Sequence, residues 1–269
     1  MSDKPVAVIT GASSGIGLET ALAFARKGYT VVPSARRAER LDQIAEQCRS
    51  LGAEARPVVT DVADERQVRN LVATAVDEFG RIDVMVNNAG HGVFAAVHET
   101  PTGEMRQIFD VNFFGVFYGC KAAVPEMLRR GRGHIFNVSS VIGKRGTPMH
   151  GAYCATKFAI AGLTESLRVE LMSAGVHVTL VCPTTTETEF FDRTPTGKKA
   201  GAGLRKYVSS MPAAVVGRKI AAVAGRRKPE LVFSAAGKLL ALSAALAPGF
   251  TDHIMKVYRD DLAKRLKKH

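Results

Sequence analysis

The sequence predicts an α/β fold, a doubly wound parallel sheet of about seven strands with helices on both faces. Two observations predict it. Short β-branched apolar runs alternate with longer stretches whose apolar residues recur every three or four positions. The short runs also lack polar alternation, as strands covered on both faces should. They lie at residues 6–10, 30–32, 56–59, 82–87, 134–138 and 176–181. Helical patterns occupy 17–27, 38–51, 65–79, 104–130 and 155–174, and in the third of these Leu71, Ala75 and Phe79 share one face. Gly28, Gly52, Gly80 and Gly175 each follow a helical stretch, where a C′ residue is expected. A later helix at 213–224, a strand at 230–233 and helices at 236–247 and 251–267 read as an extension of one domain spanning 1–269. Residues 194–203, with their Pro, Gly and Lys content, read as an irregular loop.

At 269 residues, with 46% hydrophobic and 23% charged side chains, the chain can bury a substantial core. Cys48, Cys120, Cys154 and Cys182 lie far apart without zinc-site spacing, and read as free thiols in a reducing compartment. Residues 1–4 lead straight into the first apolar run, which does not support a secretory signal, so a cytoplasmic location is expected. The net charge of +12 is unevenly placed. Residues 198–269 carry 16 Lys+Arg against 4 Asp+Glu, while residues 1–197 balance at 21 and 21. Any electrostatic partner therefore belongs to the last quarter of the chain.

The first strand ends in Thr10-Gly11-Ala12-Ser13-Ser14-Gly15-Ile16-Gly17 and opens a helix. Glycines there let backbone approach a pyrophosphate, and the helix N-terminus offers unpaired N–H groups. The second strand is followed by Arg36 and Arg37, where NAD sites commonly carry a carboxylate for the ribose 2′-OH. Arginine there complements a 2′-phosphate, and this charge match favours NADP(H) over the alternative of two arginines on a solvated helix start. Tyr153 and Lys157 stand at i and i+4, on one helical face, so the ammonium is expected to lower the phenol's pKa. Ser139 and Ser140 end an apolar strand at its ligand-binding carboxyl end.

Taken together, Thr10-Gly11-x-x-x-Gly15-x-Gly17, Asp61-Val62, Asn87-Asn88-Ala89-Gly90, Asn112, Ser140 and Tyr153-x-x-x-Lys157 resemble the short-chain dehydrogenase/reductase family. The resemblance covers roughly residues 5–190 and implies a Rossmann-type fold and an oxidoreductase interconverting a carbonyl and an alcohol. It implies Tyr153 as general acid and base, Lys157 as its activator and a ribose ligand, and Ser140 as a donor to the substrate carbonyl. Asn112 would hold a proton-relay water. Gly11, Ser13, Ser14, Gly15, Ile16 and Gly17 would cradle the pyrophosphate, with Arg36 and Arg37 at the 2′-phosphate. Asp61 and Val62 would contact adenine, Asn88, Ala89 and Gly90 would lie along the cofactor, and Thr186 and Thr188 would reach the carboxamide. NADP(H) is the preferred cofactor and NAD(H) the alternative, since the basic residue some relatives carry in the glycine turn is Ser14 here. The family's Pro-Gly after the sixth strand is Pro183-Thr184, which should change the backbone or narrow the space there. The family also suggests a homo-oligomer, a dimer or tetramer.

His91 and His150 read as pocket-lining or loop histidines, Cys154 as packing, and Met149, Phe190 and Phe191 as pocket lining or core. The apolar stretch 231–250 is broken by Lys238 and Pro248, so a membrane span is not expected. Flanked by Arg226-Arg227-Lys228 and Lys264-Arg265, it suits either an anionic membrane surface or a core or subunit contact with solvated lysines. An apolar substrate is expected, lipid- or steroid-like. The rival reading is a catalytically silent NADP(H)-binding sensor or membrane adaptor. The basic tail lacks an aromatic stacking series, so nucleic acid is not expected as a partner.

Overall fold

A computed structural model describes residues 4–186 and 210–266. Its strands are β1 (Val6–Thr10), β2 (Thr30–Ala35), β3 (Val58–Val59), β4 (Val84–Asn87), β5 (Gly133–Val138), β6 (Val176–Cys182) and β7 (Glu230–Val232). They form one sheet in the order β3-β2-β1-β4-β5-β6-β7, and every neighbouring pair is parallel. This is the doubly wound, Rossmann-type arrangement. The helices are α1 (Gly15–Arg26), α2 (Ala38–Ser50), α3 (Glu65–Phe79), α4 (Thr102–Phe109), α5 (Gly115–Arg129), α6 (Gly151–Glu170), α7 (Ala213–Val223), α8 (Ala235–Leu246) and α9 (Pro248–Leu266).

The two-residue period of β1 divides the core. Ala7 and Ile9 pack with Phe24, Leu41, Ile44 and Val216, from α1, α2 and α7. Val6 and Val8 pack with Leu71, Phe79, Met127 and Ile160, from α3, α5 and α6. Each fully buried large side chain contributes about 1.5–3 kcal/mol of transfer free energy. Asp64 starts α3 by accepting the N–H groups of Arg66 (2.9 Å) and Gln67 (3.3 Å), and Gly80 closes it with φ 74°. The four cysteines are free and buried.

Two expectations change. The single helix over 104–130 is instead α4, a π-helical turn at Asp110–Phe114, and α5. The strand over 30–32 continues through Pro33 to Ala35, because Ser34 and Ala35 still accept the N–H groups of Ala12 and Thr60, both at 3.0 Å. The expected loop at 194–203, with Phe190 and Phe191, lies outside the described residues. No helix among the described residues is long and apolar enough to cross a membrane.

His134, fully buried in β5, ties the chain before β7 to the sheet. Its Nδ1 accepts the Gly225 N–H at 3.1 Å, which leaves Nε2 to donate to the Thr179 hydroxyl at 2.8 Å. Thr179 in turn donates to the Lys228 carbonyl. Burial, with the nearby His177, pushes the His134 imidazole down to about 3, and burial alone pushes His150 to about 4. Both fold neutral, whereas in the unfolded chain they take a proton near the ordinary 6.5. Their stabilisation is therefore complete above that value and lost as pH falls below it, at up to ~1.4 kcal/mol per pH unit for each. Urea unfolding at steps from about pH 7 to about pH 4 should show this slope. His134→Phe should reduce the slope by one histidine's share and cost about 1–3 kcal/mol at neutral pH, from the Gly225 and Thr179 groups left unpaired.

Candidate active site

The chain reverses direction of winding between β1 and β4, which opens a crevice at the carboxyl ends of these strands. The turn after β1 and the turn after β4 meet there. Gly11 has φ 66°, and a Cβ on it would stand 2.7 Å from the Ala89 Cα, so only glycine fits. Thr10 Oγ1 accepts the N–H groups of Asn88 (3.0 Å) and Ala89 (3.1 Å). Asn88 Nδ2 donates back to the carbonyls of Thr10 (2.9 Å) and Gly11 (3.3 Å). Ser14 is the N-cap of α1 and makes no side-chain cap, so the first-turn N–H groups stay available to an anion.

Arg37 leans onto this turn. Its Nη2 donates to Ser13 Oγ at 2.9 Å and Ser14 Oγ at 3.2 Å, and its Nε donates to Ser13 Oγ at 3.2 Å. Arg36 is more exposed and faces Asp61 across 3.9 Å. A solvated pair of that length contributes little to stability and leaves the guanidinium available.

At the other end of the crevice, Lys157 is 3% exposed and donates from Nζ to the Val138 carbonyl at 2.9 Å. Burial pushes its ammonium down to about 8. The Tyr153 ring centroid lies 5.4 Å from that nitrogen. The phenol is held above its ordinary value, because burial outweighs the hydrogen bond with Ser140. This reverses the expected lowering by Lys157. The ammonium is turned to a backbone carbonyl, and burial weakens its own hold on a proton. Ser139 Oγ donates to the Lys157 carbonyl at 2.9 Å, which pins α6 to the end of β5. Ser140 Oγ accepts the Ile142 N–H at 3.3 Å and donates to the Pro183 carbonyl at 3.4 Å.

The π-helical turn carries Asn112 inward, fully buried. Such turns occur frequently at functional sites. Asn112 Oδ1 accepts the His91 N–H at 2.9 Å, while Nδ2 donates to the His91 carbonyl (2.9 Å) and Thr156 Oγ1 (3.2 Å). A Cβ on Gly90 would lie 3.0 Å from Asn112 Oδ1 and 3.8 Å from Lys157 Nζ, so a glycine there lets the backbone sit directly against both groups.

Most of these groups line one cleft of about 460 Å³. Gly11, Ser13, Ser14, Gly15 and Ile16 form its floor at one end, beside Arg36, Arg37, Asp61 and Val62. Asn88, Ala89 and Gly90 run along it to Ser140, Tyr153, Lys157 and Thr186. Gly17 and Asn112 do not line it. Gly17 packs beneath the turn, where a Cβ would stand 2.3 Å from the Gly11 carbonyl oxygen, and Asn112 lies behind Gly90. Thr188 lies outside the described residues. Thr184 lines the cleft without backbone strain: Met149, with φ 66°, is the one non-glycine residue in the left-handed region among those described.

Several contributors carry no motif. Tyr258, from α9, lines the cleft and packs with Phe94 and Met149. His150 lines it too, edge-on to Phe94 with ring centroids 5.1 Å apart. Arg145 pairs with Asp252 of α9 and so fastens that helix beside the cleft. The Val138 carbonyl and Thr156 position Lys157 and Asn112 through contacts that only the folded chain makes.

Comparison with known proteins identifies the family. The family model for short chain dehydrogenases matches residues 5–199. The uncharacterised oxidoreductase YxnA of Bacillus subtilis is 37% identical over 266 residues, covering 97% of this chain and 74% of YxnA. A short chain dehydrogenase/reductase from Burkholderia phymatum, solved in complex with NAD, superposes with TM-score 0.83 at 31% identity, over 91% of this chain and 95% of its own. An alcohol dehydrogenase from Thermococcus sibiricus, solved with 5-hydroxy-NADP, gives TM-score 0.76 at 29% identity, over 86% and 96%. On these matches the chain belongs to the short-chain dehydrogenase family, oxidoreductases of CH–OH and C=O groups.

Proposed function

We propose that the protein is an NADP(H)-dependent oxidoreductase that interconverts an apolar ketone or aldehyde and its alcohol, with Tyr153 as the proton carrier. One observation carries the reading. A phenol, a serine hydroxyl and a buried ammonium meet at one end of a cleft whose other end is a glycine turn flanked by two arginines.

The residues present fit the cofactor. Uncapped N–H groups at the start of α1 suit a pyrophosphate, and Gly11, whose Cβ would strike Ala89, lets the turn after β1 close against the turn after β4. Arg36 and Arg37 would hold the 2′-phosphate, with Ser13 and Ser14 as further donors. The glycine turn thus has its basic group after all, supplied by Arg37 from the end of β2. Asp61 and Val62 would border the adenine. Asn88 and Ala89 would run along the dinucleotide, with Thr186 at the carboxamide. When bound, the nicotinamide supplies or accepts the hydride.

In reduction, Tyr153 Oη gives its proton to the substrate oxygen, while the Ser140 hydroxyl orients that oxygen and stabilises its developing charge. In oxidation Tyr153 takes the proton back. Burial keeps the phenol protonated through neutral pH, which suits the donor role. Lys157 stabilises the phenolate left behind and holds the nicotinamide ribose, and Asn112 holds the route by which the proton is replaced. Val141, Ile142 and Tyr258 make the substrate side largely apolar.

Tyr153→Phe should lower kcat by at least about a hundredfold with little change in NADPH affinity, measured by fluorescence titration and turnover on one protein batch. An active Phe variant would overturn the proton-carrier role. Arg37→Ala should weaken NADPH at least about tenfold while leaving NADH nearly unchanged, since an arginine–phosphate pair is a charge-assisted contact. Equal losses for both nucleotides would mean that Arg37 only braces the turn. The pH profile carries a third test. Lys157 is charged below about 8, so the reduction rate should fall as pH rises through that value. Lys157→Met should be slow throughout and lose that inflection.

A further inference from the structure

The helical hairpin of α8 and α9 exposes large apolar side chains that the fold does not use. Leu239, Leu242 and Leu246 lie on one face of α8 and are exposed by 68%, 55% and 76%. Phe250, Ile254 and Val257 form a second stripe on α9, at i, i+4 and i+7, and all three are exposed. The inner face of α8 is fixed by Gly237, where a Cβ would stand 2.7 Å from Val141 Cγ1. Thr251 Oγ1 reaches Ser243 Oγ at 3.3 Å and the Ala247 carbonyl at 3.1 Å, which locks the two helices at their junction. The leucine stripe is therefore the outward face of a braced hairpin. Monomeric surfaces rarely expose so much contiguous apolar area without a partner.

Charge identifies the partner. The whole net charge of +12 falls in residues 198–269, and Arg226, Arg227, Lys228, Lys238 and Lys256 are exposed on or next to the hairpin. Of the facing acids, Asp252 is paired with Arg145 and Asp260 with Arg259. Asp261 is the third acid of α9 and is outnumbered by these cations. Self-association through this face would bring two copies of the same cationic segment together, which repels. An anionic surface with an apolar interior satisfies both features. No described helix is both long and apolar enough to span a bilayer, so the hairpin would lie on it.

We propose that α8 and α9 form a docking surface for anionic phospholipid bilayers and deliver the substrate cleft to the membrane. The hairpin's inner side reaches Val141 and carries Tyr258, both of which line the cleft. Seated on a bilayer, it sets the cleft at the headgroup level, where an apolar carbonyl compound dissolved in lipid can enter. This rests on the apolar-substrate reading above, but its test does not depend on turnover.

The full-length protein is sedimented with vesicles of phosphatidylcholine alone or with about one third phosphatidylglycerol, at low and high salt. Binding should rise at least about tenfold with the anionic lipid and fall with salt. The double variant Leu242→Glu, Leu246→Glu should lose at least about tenfold of that binding. Both residues lie outside the cleft, so its melting temperature and NADPH affinity should match the parent protein. Failure of the parent to bind anionic vesicles, or equal binding by the variant, would overturn the proposal. So would light scattering that shows a parental dimer split by the two glutamates. Loss of NADPH binding in the parent protein would instead count against the functional reading and leave vesicle binding as a separate result.

Discussion

Every strand in the sheet runs parallel, and that constraint places all seven carboxyl ends along one edge. Each connection must cross a face of the sheet, so helices cover both sides and the strands become apolar throughout. Chemistry is then confined to the loops at that edge. Because winding reverses between β1 and β4, the loops after these two strands separate and leave a crevice between them. Gly11 and Asn88 join across its base, and Ser140 and Lys157 complete it from β5 and α6.

Within the crevice, the buried Lys157 ammonium is held from two sides. Its nitrogen is anchored by the Val138 carbonyl, and its helix is anchored by Ser139. Burial raises the phenol and lowers the ammonium, so the two pKa values move apart: the phenol stays protonated at neutral pH while the ammonium holds its proton less tightly. In the proposed reading that separation assigns the roles, the phenol as proton donor and Lys157 as the charge beside it. The opposite end works by permanent charge, since arginine stays protonated. In the proposed reading, one end handles a proton and the other holds an anion.

Much of this was legible from residues alone. Continuous apolar runs revealed the parallel sheet, and the glycine turn, Asn88-Ala89-Gly90, Ser140 and Tyr153-x-x-x-Lys157 now line a single cleft. What the chain hid was long-range. The π-helical turn at Asn112 has no spacing signature, because periodicity over 104–130 hardly changes when one turn widens. Pro33 masked the end of β2, although the residues after it still pair. The direction of the Tyr153 shift depends on burial and on where Lys157 points, neither of which an i, i+4 spacing encodes. Tyr258 joins the cleft from the far end of the chain, and no local pattern announces such a contact.

Every role proposed for the cleft's residues depends on its holding NADP(H). The most direct measurement is a fluorescence titration of the unmodified protein with NADPH and NADH at matched ionic strength. Arg36 and Arg37 together should favour NADPH by at least about tenfold, with the margin shrinking as salt is raised. Equal affinity, or no binding of either nucleotide, would contradict the assignment of the arginine end and of the cleft with it.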